Sequence, residues 1–315
     1  MSSLGRRLLA LFVGLAVAAA LVEGAVRLVD AYRIPESSAK SIDRAASERN
    51  AAGFHDVEWA REKPPGTWRL VVLGDSFTMG QWVARDELFV KRLERELRAS
   101  GKAIETLNVA LGGADTRDEL GLLRDVGLAY EPDAVLLVFF LNDATHLDSN
   151  PLMVKKIHAE LAREPEGLAR ISKAWELFDR SRRQRAVTQA TVADYLASFR
   201  GDAEQRAAWE DCKRALAELA ELCKQRRLPL GVAIFPMLME LDSEAGHPFV
   251  ELYAEVEAHC ASLGVPVLQL LPVFLRRSAP ALWVAPDDAH PNATANALVV
   301  PALKAFVLAS GLAPR

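Results

Sequence analysis

Seven consecutive apolar residues, Ala134–Phe140 (AVLLVFF), constrain the fold of this chain more than any other feature. An extended segment with no polar alternate cannot turn one face to water. A strand here must therefore be covered on both sides. The neighbouring pattern supplies the cover. Arg69–Leu73, Ile104–Val109, Leu230–Phe235 and Val265–Leu270 are further short β-rich runs. Between them lie segments with helical spacing: Asp86–Ala99, Arg117–Leu128 with Thr116 as its cap, Glu204–Gln225, Pro248–Leu263 ended by Gly264, and Ala293–Leu308. Strands that alternate with helices predict an α/β fold, a parallel sheet between two helical layers. Sites in such sheets lie at the carboxyl ends of the strands.

The alternation stops between Asp143 and Gly201, which predicts a helical insertion over about residues 144–202. Residues 151–185 carry nine Lys/Arg against five Asp/Glu. That stretch reads as a solvated helical surface, or as a cap that meets an anionic glycan or lipid headgroups.

At the N-terminus, Arg6 and Arg7 precede an uninterrupted apolar run, Leu8–Val22. Two basic residues before such a run make a signal anchor or signal peptide. The uncharged core alone is shorter than the ~20 residues a span needs. With Glu23 and Arg27 at the outer interface, Leu8–Val29 can cross. The expectation is a single-pass membrane helix over residues 1–33, with Arg6 and Arg7 cytoplasmic and the rest extracytoplasmic, in the periplasm. Cleavage near Ala18-Ala19-Ala20 would release a secreted form. Residues 34–66 hold prolines, glycines and scattered charges without periodicity, and read as a linker. Residues 67–315 form the remaining domain.

Net charge is -4, which gives no reason to expect nucleic acid. Cys212, Cys223 and Cys260 are odd in number and lack C-x-x-C spacing, so neither a disulfide framework nor a zinc site is expected.

Four segments carry candidate chemistry, and three follow a predicted strand. Gly74-Asp75-Ser76-Phe77 puts a hydroxyl at a strand end, where it needs a base to become a nucleophile. Asn108 to Thr116 contains Gly112-Gly113, where backbone can approach a ligand and an N–H can meet an oxyanion. Asn142, in Phe139-Phe140-Leu141-Asn142-Asp143, offers a side-chain amide for the same purpose, and Asp143 reads as structural. Asp287-Asp288-Ala289-His290 precedes the last helix and brings a carboxylate and an imidazole together. His146 is a weaker second base candidate. His55, His158, His247 and His259 read as surface residues. A metal site at Asp287, Asp288 and His290 lacks further clustered ligands and is not expected.

With these blocks in this order, the chain resembles the SGNH, or GDSL-type, hydrolase family. The resemblance spans Arg69 to the closing helix. It is closest to envelope members opening on GDSFTxG, which reads GDSFTMG here over Gly74–Gly80. Many of those carry an anchor with a Glu followed by an Arg, as Glu23 and Arg27 stand here. Ala110 stands where the family often has glycine, and Ala295 and Asn296 where it often has Gly-His.

The resemblance implies a three-layer flavodoxin-like fold and Ser76 as nucleophile. It also implies an oxyanion hole from the Ser76 N–H, the Gly113 N–H and the Asn142 amide, with no cofactor needed. It implies His290 as base with Asp287 behind it, since D-x-x-H spacing favours Asp287 over Asp288. The expected partner is an ester-bearing small molecule, lipid or polysaccharide, acted on by hydrolysis or by O-acetyl transfer. The alternatives are a catalytically silent carbohydrate-binding or assembly protein on the same fold, and a tethered scaffold.

Overall fold

The structure is a computed structural model and describes residues 2–32, 43–145, 163–285 and 288–314. Five parallel strands form the main sheet: β1 (Trp68–Gly74), β2 (Ile104–Ala110), β3 (Ala134–Phe139), β4 (Leu230–Ile234) and β5 (Val267–Gln269). Their order is β2-β1-β3-β4-β5, the flavodoxin-like arrangement. The apolar run takes the central place as β3, and all six of its residues are buried. Each large apolar side chain removed from water in this way contributes about 1.5–3 kcal/mol. Helices Phe89–Ala99 and Ala293–Ala309 pack together as one layer, and Thr116–Asp125 and Ala207–Arg226 as another. The alternation thus folds as expected.

Two departures concern local structure. The helix beginning at Thr116 is capped by Asp115, whose carboxylate accepts from the N–H groups of Arg117 and Asp118 in a capping box. A carboxylate suits the positive helix end better than the expected threonine. A short antiparallel hairpin, β6 (Trp283–Ala285) with β7 (Asp288–Pro291), was not foreseen. Strands of three and four residues carry too little alternation to read.

Of the expected linker, residues 34–42 lie outside the described residues. Part of the remainder packs against the sheet domain. Phe54, His55 and Asp56 are buried. Asp56 accepts from the Asn108 N–H at 2.8 Å and pairs with Lys91 Nζ at 2.8 Å. His55 Nδ1 lies 2.9 Å from the Met79 carbonyl. The buried Arg69 guanidinium donates to the carbonyls of Ala60, Arg61 and Tyr130. This segment therefore seals the edge of the sheet beside β2. His247 is buried as well, so it and His55 are not the surface residues expected.

The chain divides into two compact units. One comprises Met1–Ser37 and Asn150–Thr191, and the other Ser38–Ser149 and Val192–Arg315. The second holds the sheet and its helices. In the first, the N-terminal helix Ser3–Tyr32 groups with the beginning of the 28-residue helix Lys173–Arg200. Among the described residues one helix segment, Ser3–Val29, is long and apolar enough to cross a membrane. At 1.5 Å per residue its 27 residues extend about 40 Å, against ~30 Å of hydrocarbon.

Candidate active site

The turn after β1 is dictated by close packing. A Cβ on Gly74 would fall 2.2 Å from Thr78 Oγ1 and 2.6 Å from Thr78 Cβ, so only glycine fits there. The chain then starts the four-residue helix Ser76–Met79, capped by the Asp75 side chain on the Phe77 N–H at 2.8 Å. Ser76 is the first residue of that helix, where a backbone N–H has no intrahelical acceptor. Its side chain is half-buried at the carboxyl end of the sheet.

His290 comes from β7. Its Nε2 lies 2.8 Å from Ser76 Oγ, across 214 residues of sequence. Its Nδ1 lies 2.5 Å from Asp288 Oδ1, which also accepts from the His290 N–H at 3.1 Å. The ring packs against Phe77, with centroids 5.1 Å apart, and Phe77 stacks on Phe140. Successive strand side chains point to opposite faces, so positions 288 and 290 share one. The carboxylate on His290 is Asp288, the alternative to the Asp287 that D-x-x-H spacing favours. Asp287 lies outside the described residues, as does His146.

Gly113 and Asn142 sit at the neighbouring strand ends. Gly113 has φ of 81°, left-handed backbone that favours glycine. A Cβ on Gly112 would come 3.9 Å from Ser76 Cβ, so this loop runs beside the serine. Asn142 is buried, and its Nδ2 donates to the Ala114 carbonyl at 3.5 Å. So long a bond is weak, and the Asn142 side chain also hydrogen bonds the Asp75 carboxyl beneath the site. The expected residues Ser76, Gly113, Asn142 and His290 thus converge at one sheet edge. An imidazole held this way can take a hydroxyl proton, and the nearby donors can stabilise a developing oxyanion.

One feature of the site went unread: Asp75, Glu119 and Asp143 are three buried carboxylates. Burial pushes the Asp75 carboxyl up to about 6, opposed by the Phe77 N–H and the His290 charge. Burial, with the charges of Asp143 and Asp75, pushes Glu119 well above its ordinary range. Burial and the Asp75 charge do the same for Asp143. Like charges in one dry site favour protonated forms. The legible signal was Glu119 itself, which lies on the buried stripe Thr116, Glu119, Leu120, Leu123.

Raised carboxyl pKa values make the folded state hold more protons than the unfolded chain. Their contribution is full below the unfolded values, 3.8 for Asp and 4.5 for Glu, and is lost as pH rises through the folded values. For Asp75 the window runs from 3.8 to about 6. Glu119→Gln keeps the shape and removes one titrating acid. Its stability relative to wild type should rise as pH is raised from 4.5 towards neutrality. Urea unfolding across that range checks this. A difference independent of pH would refute the raised Glu119 value.

The GDSL-like Lipase/Acylhydrolase family matches residues 72–298. Among solved structures, the chain is similar to TesA, at 14% identity and TM-score 0.48, covering 76% of this chain and 98% of that one. It is similar to the acetyl xylan esterase AlAXEase, at 14% identity and TM-score 0.47, covering 76% and 100%. A third is a mutant of Axe2, an acetyl-xylooligosaccharide esterase from Geobacillus Stearmophilus, at 15% identity and TM-score 0.47, covering 76% and 94%. No curated protein matches the sequence. With the family match running from β1 into the closing helix, the chain belongs to the GDSL-like lipase/acylhydrolase family of ester-hydrolysing enzymes.

Proposed function

We propose that Ser76 is the nucleophile of a covalent acyl-enzyme, with His290 as general base and acid and Asp288 as the carboxylate that orients it. The observation that carries this reading is the 2.8 Å contact between Ser76 Oγ and His290 Nε2. His290 takes the Ser76 proton as Oγ attacks the ester carbonyl. The carbonyl oxygen gains negative charge and meets the Ser76 N–H, the Gly113 N–H and the Asn142 amide. Collapse expels the alcohol, which receives the proton from His290. Water or a second hydroxyl then enters by the reverse path, giving hydrolysis or transfer. No step in this sequence calls for a metal or cofactor.

The Asn142 amide is the one side-chain donor in this set. Removing such a donor costs roughly 10²–10³ in turnover. Asn142→Ala should slow hydrolysis of a small acetyl ester on that scale, while circular dichroism reports an unchanged fold. Turnover near wild type would remove Asn142 from the site.

The substrate we infer is an O-acetyl ester on envelope carbohydrate, with a lipid ester as the competing case. His290 keeps 36% of its side chain exposed, so the reacting atoms are presented near the surface. A short acyl group on a bulky carrier suits such a site better than a long chain, which needs apolar enclosure. Mass spectrometry of envelope glycans from cells with wild-type protein and with Ser76→Ala tests this. A hydrolase should leave more acetyl groups in the variant, and a transferase fewer. Unchanged acetylation would sink the carbohydrate assignment.

The N-terminal helix, in this reading, anchors the enzyme with its catalytic unit outside the cytoplasm. Arg6 and Arg7 before the apolar run support that orientation. A reporter fused after Arg315 should give an extracytoplasmic readout, and a cytoplasmic one would overturn the compartment.

A further inference from the structure

Glu23 and Arg27 inside the otherwise uncharged stretch Leu8–Val29 need a reason, and the first compact unit supplies one. Glu23 Oε1 accepts the Lys173 N–H at 2.8 Å. Glu23 Oε2 accepts the Ala174 N–H at 3.0 Å and the Ser172 hydroxyl at 2.8 Å. Arg27 donates from Nε to Glu23 at 2.6 Å and from Nη2 to the Ile171 carbonyl at 3.0 Å. Ser172 Oγ accepts the Trp175 N–H at 3.1 Å, and Glu23 completes this capping of the helix Lys173–Arg200 from a distant segment. It satisfies free N–H groups at the positive end of the helix dipole.

The position of this clamp along the anchor decides what surrounds it. Glu23 lies six residues before Val29, about 9 Å along the axis. Leu28 and Val29 beyond it are still exposed apolar side chains. A helix that buries Leu8–Val29 in hydrocarbon therefore carries Glu23 below the outer surface, together with whatever is docked on it. The docked segment is apolar on its open side. Ile171 is 72% exposed, Trp175 47% and Phe178 55%, at helical spacing, with Leu168 continuing the stripe. The Trp175 and Phe178 rings lie 5.4 Å apart. Exposed Arg182 and Arg185 follow Phe178 by one and two turns on the same face, at the spacing that carries guanidinium groups from acyl chains to phosphates.

We propose that residues 168–178 form a second membrane-seated element, lying in the outer leaflet against the anchor and locked there by Glu23 and Arg27. Its occupant surface is the lipid bilayer. Continuity with the exposed apolar face of the anchor argues for lipid, as does the exposed aromatic pair Trp175 and Phe178. The inference rests on the reading that Ser3–Val29 spans the membrane.

The full chain in vesicles of phosphatidylethanolamine and phosphatidylglycerol tests it. Ile171→Cys and Phe178→Cys variants, and Phe12→Cys in the anchor, each carry an environment-sensitive dye. The three native cysteines are buried and escape labelling. All three dyes should be quenched by a nitroxide on the acyl chain and shielded from aqueous iodide. Dyes at 171 and 178 open to iodide, with the dye at 12 shielded, would overturn the proposal and leave the anchor standing. Dyes at 171 and 178 shielded from both quenchers would also overturn it, since another protein would then cover the stripe. A dye at 12 open to iodide would remove the anchor itself, and the proposal with it. Glu23→Ala should raise iodide quenching at 171 and 178 several-fold and leave 12 unchanged. Turnover of a soluble ester should stay at wild type, which reports an intact catalytic unit. No change at 171 and 178 in Glu23→Ala would overturn the clamp.

Discussion

Ser76→Ala and His290→Ala are each expected to lower turnover of a small acetyl ester by ~10⁴–10⁶-fold, and the double variant should be little worse than either. A serine hydroxyl at neutral pH is a poor nucleophile until its proton has somewhere to go. The 2.8 Å contact to His290 Nε2 provides that route, so neither group works without the other. Losses within one catalytic unit are therefore not additive. What remains in each variant is the part of catalysis due to oxyanion donors and binding, which both substitutions leave in place. Steady-state kinetics of the three variants, with a fluorophosphonate probe that should label wild type at Ser76, measure this. If His290→Ala kept substantial activity, another base would be at work. If the double variant fell far below both singles, the two would act separately.

Asp288→Asn should cost about 10⁴-fold in kcat, and Asp287→Asn should stay within a few-fold of wild type. A carboxylate on Nδ1 holds the imidazole with its proton on that nitrogen, which leaves Nε2 free to accept from Ser76. It also stabilises the imidazolium that forms as the proton moves. An amide in its place can turn its NH₂ towards Nδ1, select the other tautomer and remove the acceptor. Asp288 Oδ1 is the group in contact with His290 Nδ1, at 2.5 Å. The paired measurement discriminates sharply, because the two residues are adjacent and chemically identical. A large loss in Asp287→Asn with none in Asp288→Asn would reverse the assignment.

How much of this was readable beforehand varied with the range of the interaction. Three blocks at predicted strand ends, and a fourth before the last helix, named Ser76, Gly113, Asn142 and His290. Their meeting follows from sheet topology, because parallel strands deliver their following loops to one edge. The identity of the His290 partner did not follow. It depends on whether Asp288–His290 is strand or turn, and that is settled by pairing with Trp283–Ala285. The carboxylates under the site show the same limit. Glu119 in an apolar stripe was visible, but its nearness to Asp143 and Asp75 arises where its helix packs beside the ends of β1 and β3.

The amino-acid sequence by itself determined the layered α/β architecture, the central place of Ala134–Phe139 and the family. These rest on local periodicity and short motifs, which neighbouring residues encode directly. Tertiary structure alone decided that the segment around Phe54–Asp56 packs on the sheet, that Asp288 meets His290, and that Glu23 caps a helix 150 residues away. Each of these is a polar contact between distant segments. Asp56 finds the Asn108 N–H and Lys91, and Arg69 collects the carbonyls of Ala60 and Tyr130. Buried donors and acceptors must be paired, yet nothing in a linear pattern says with whom. Only the packing of the whole chain chooses the partner.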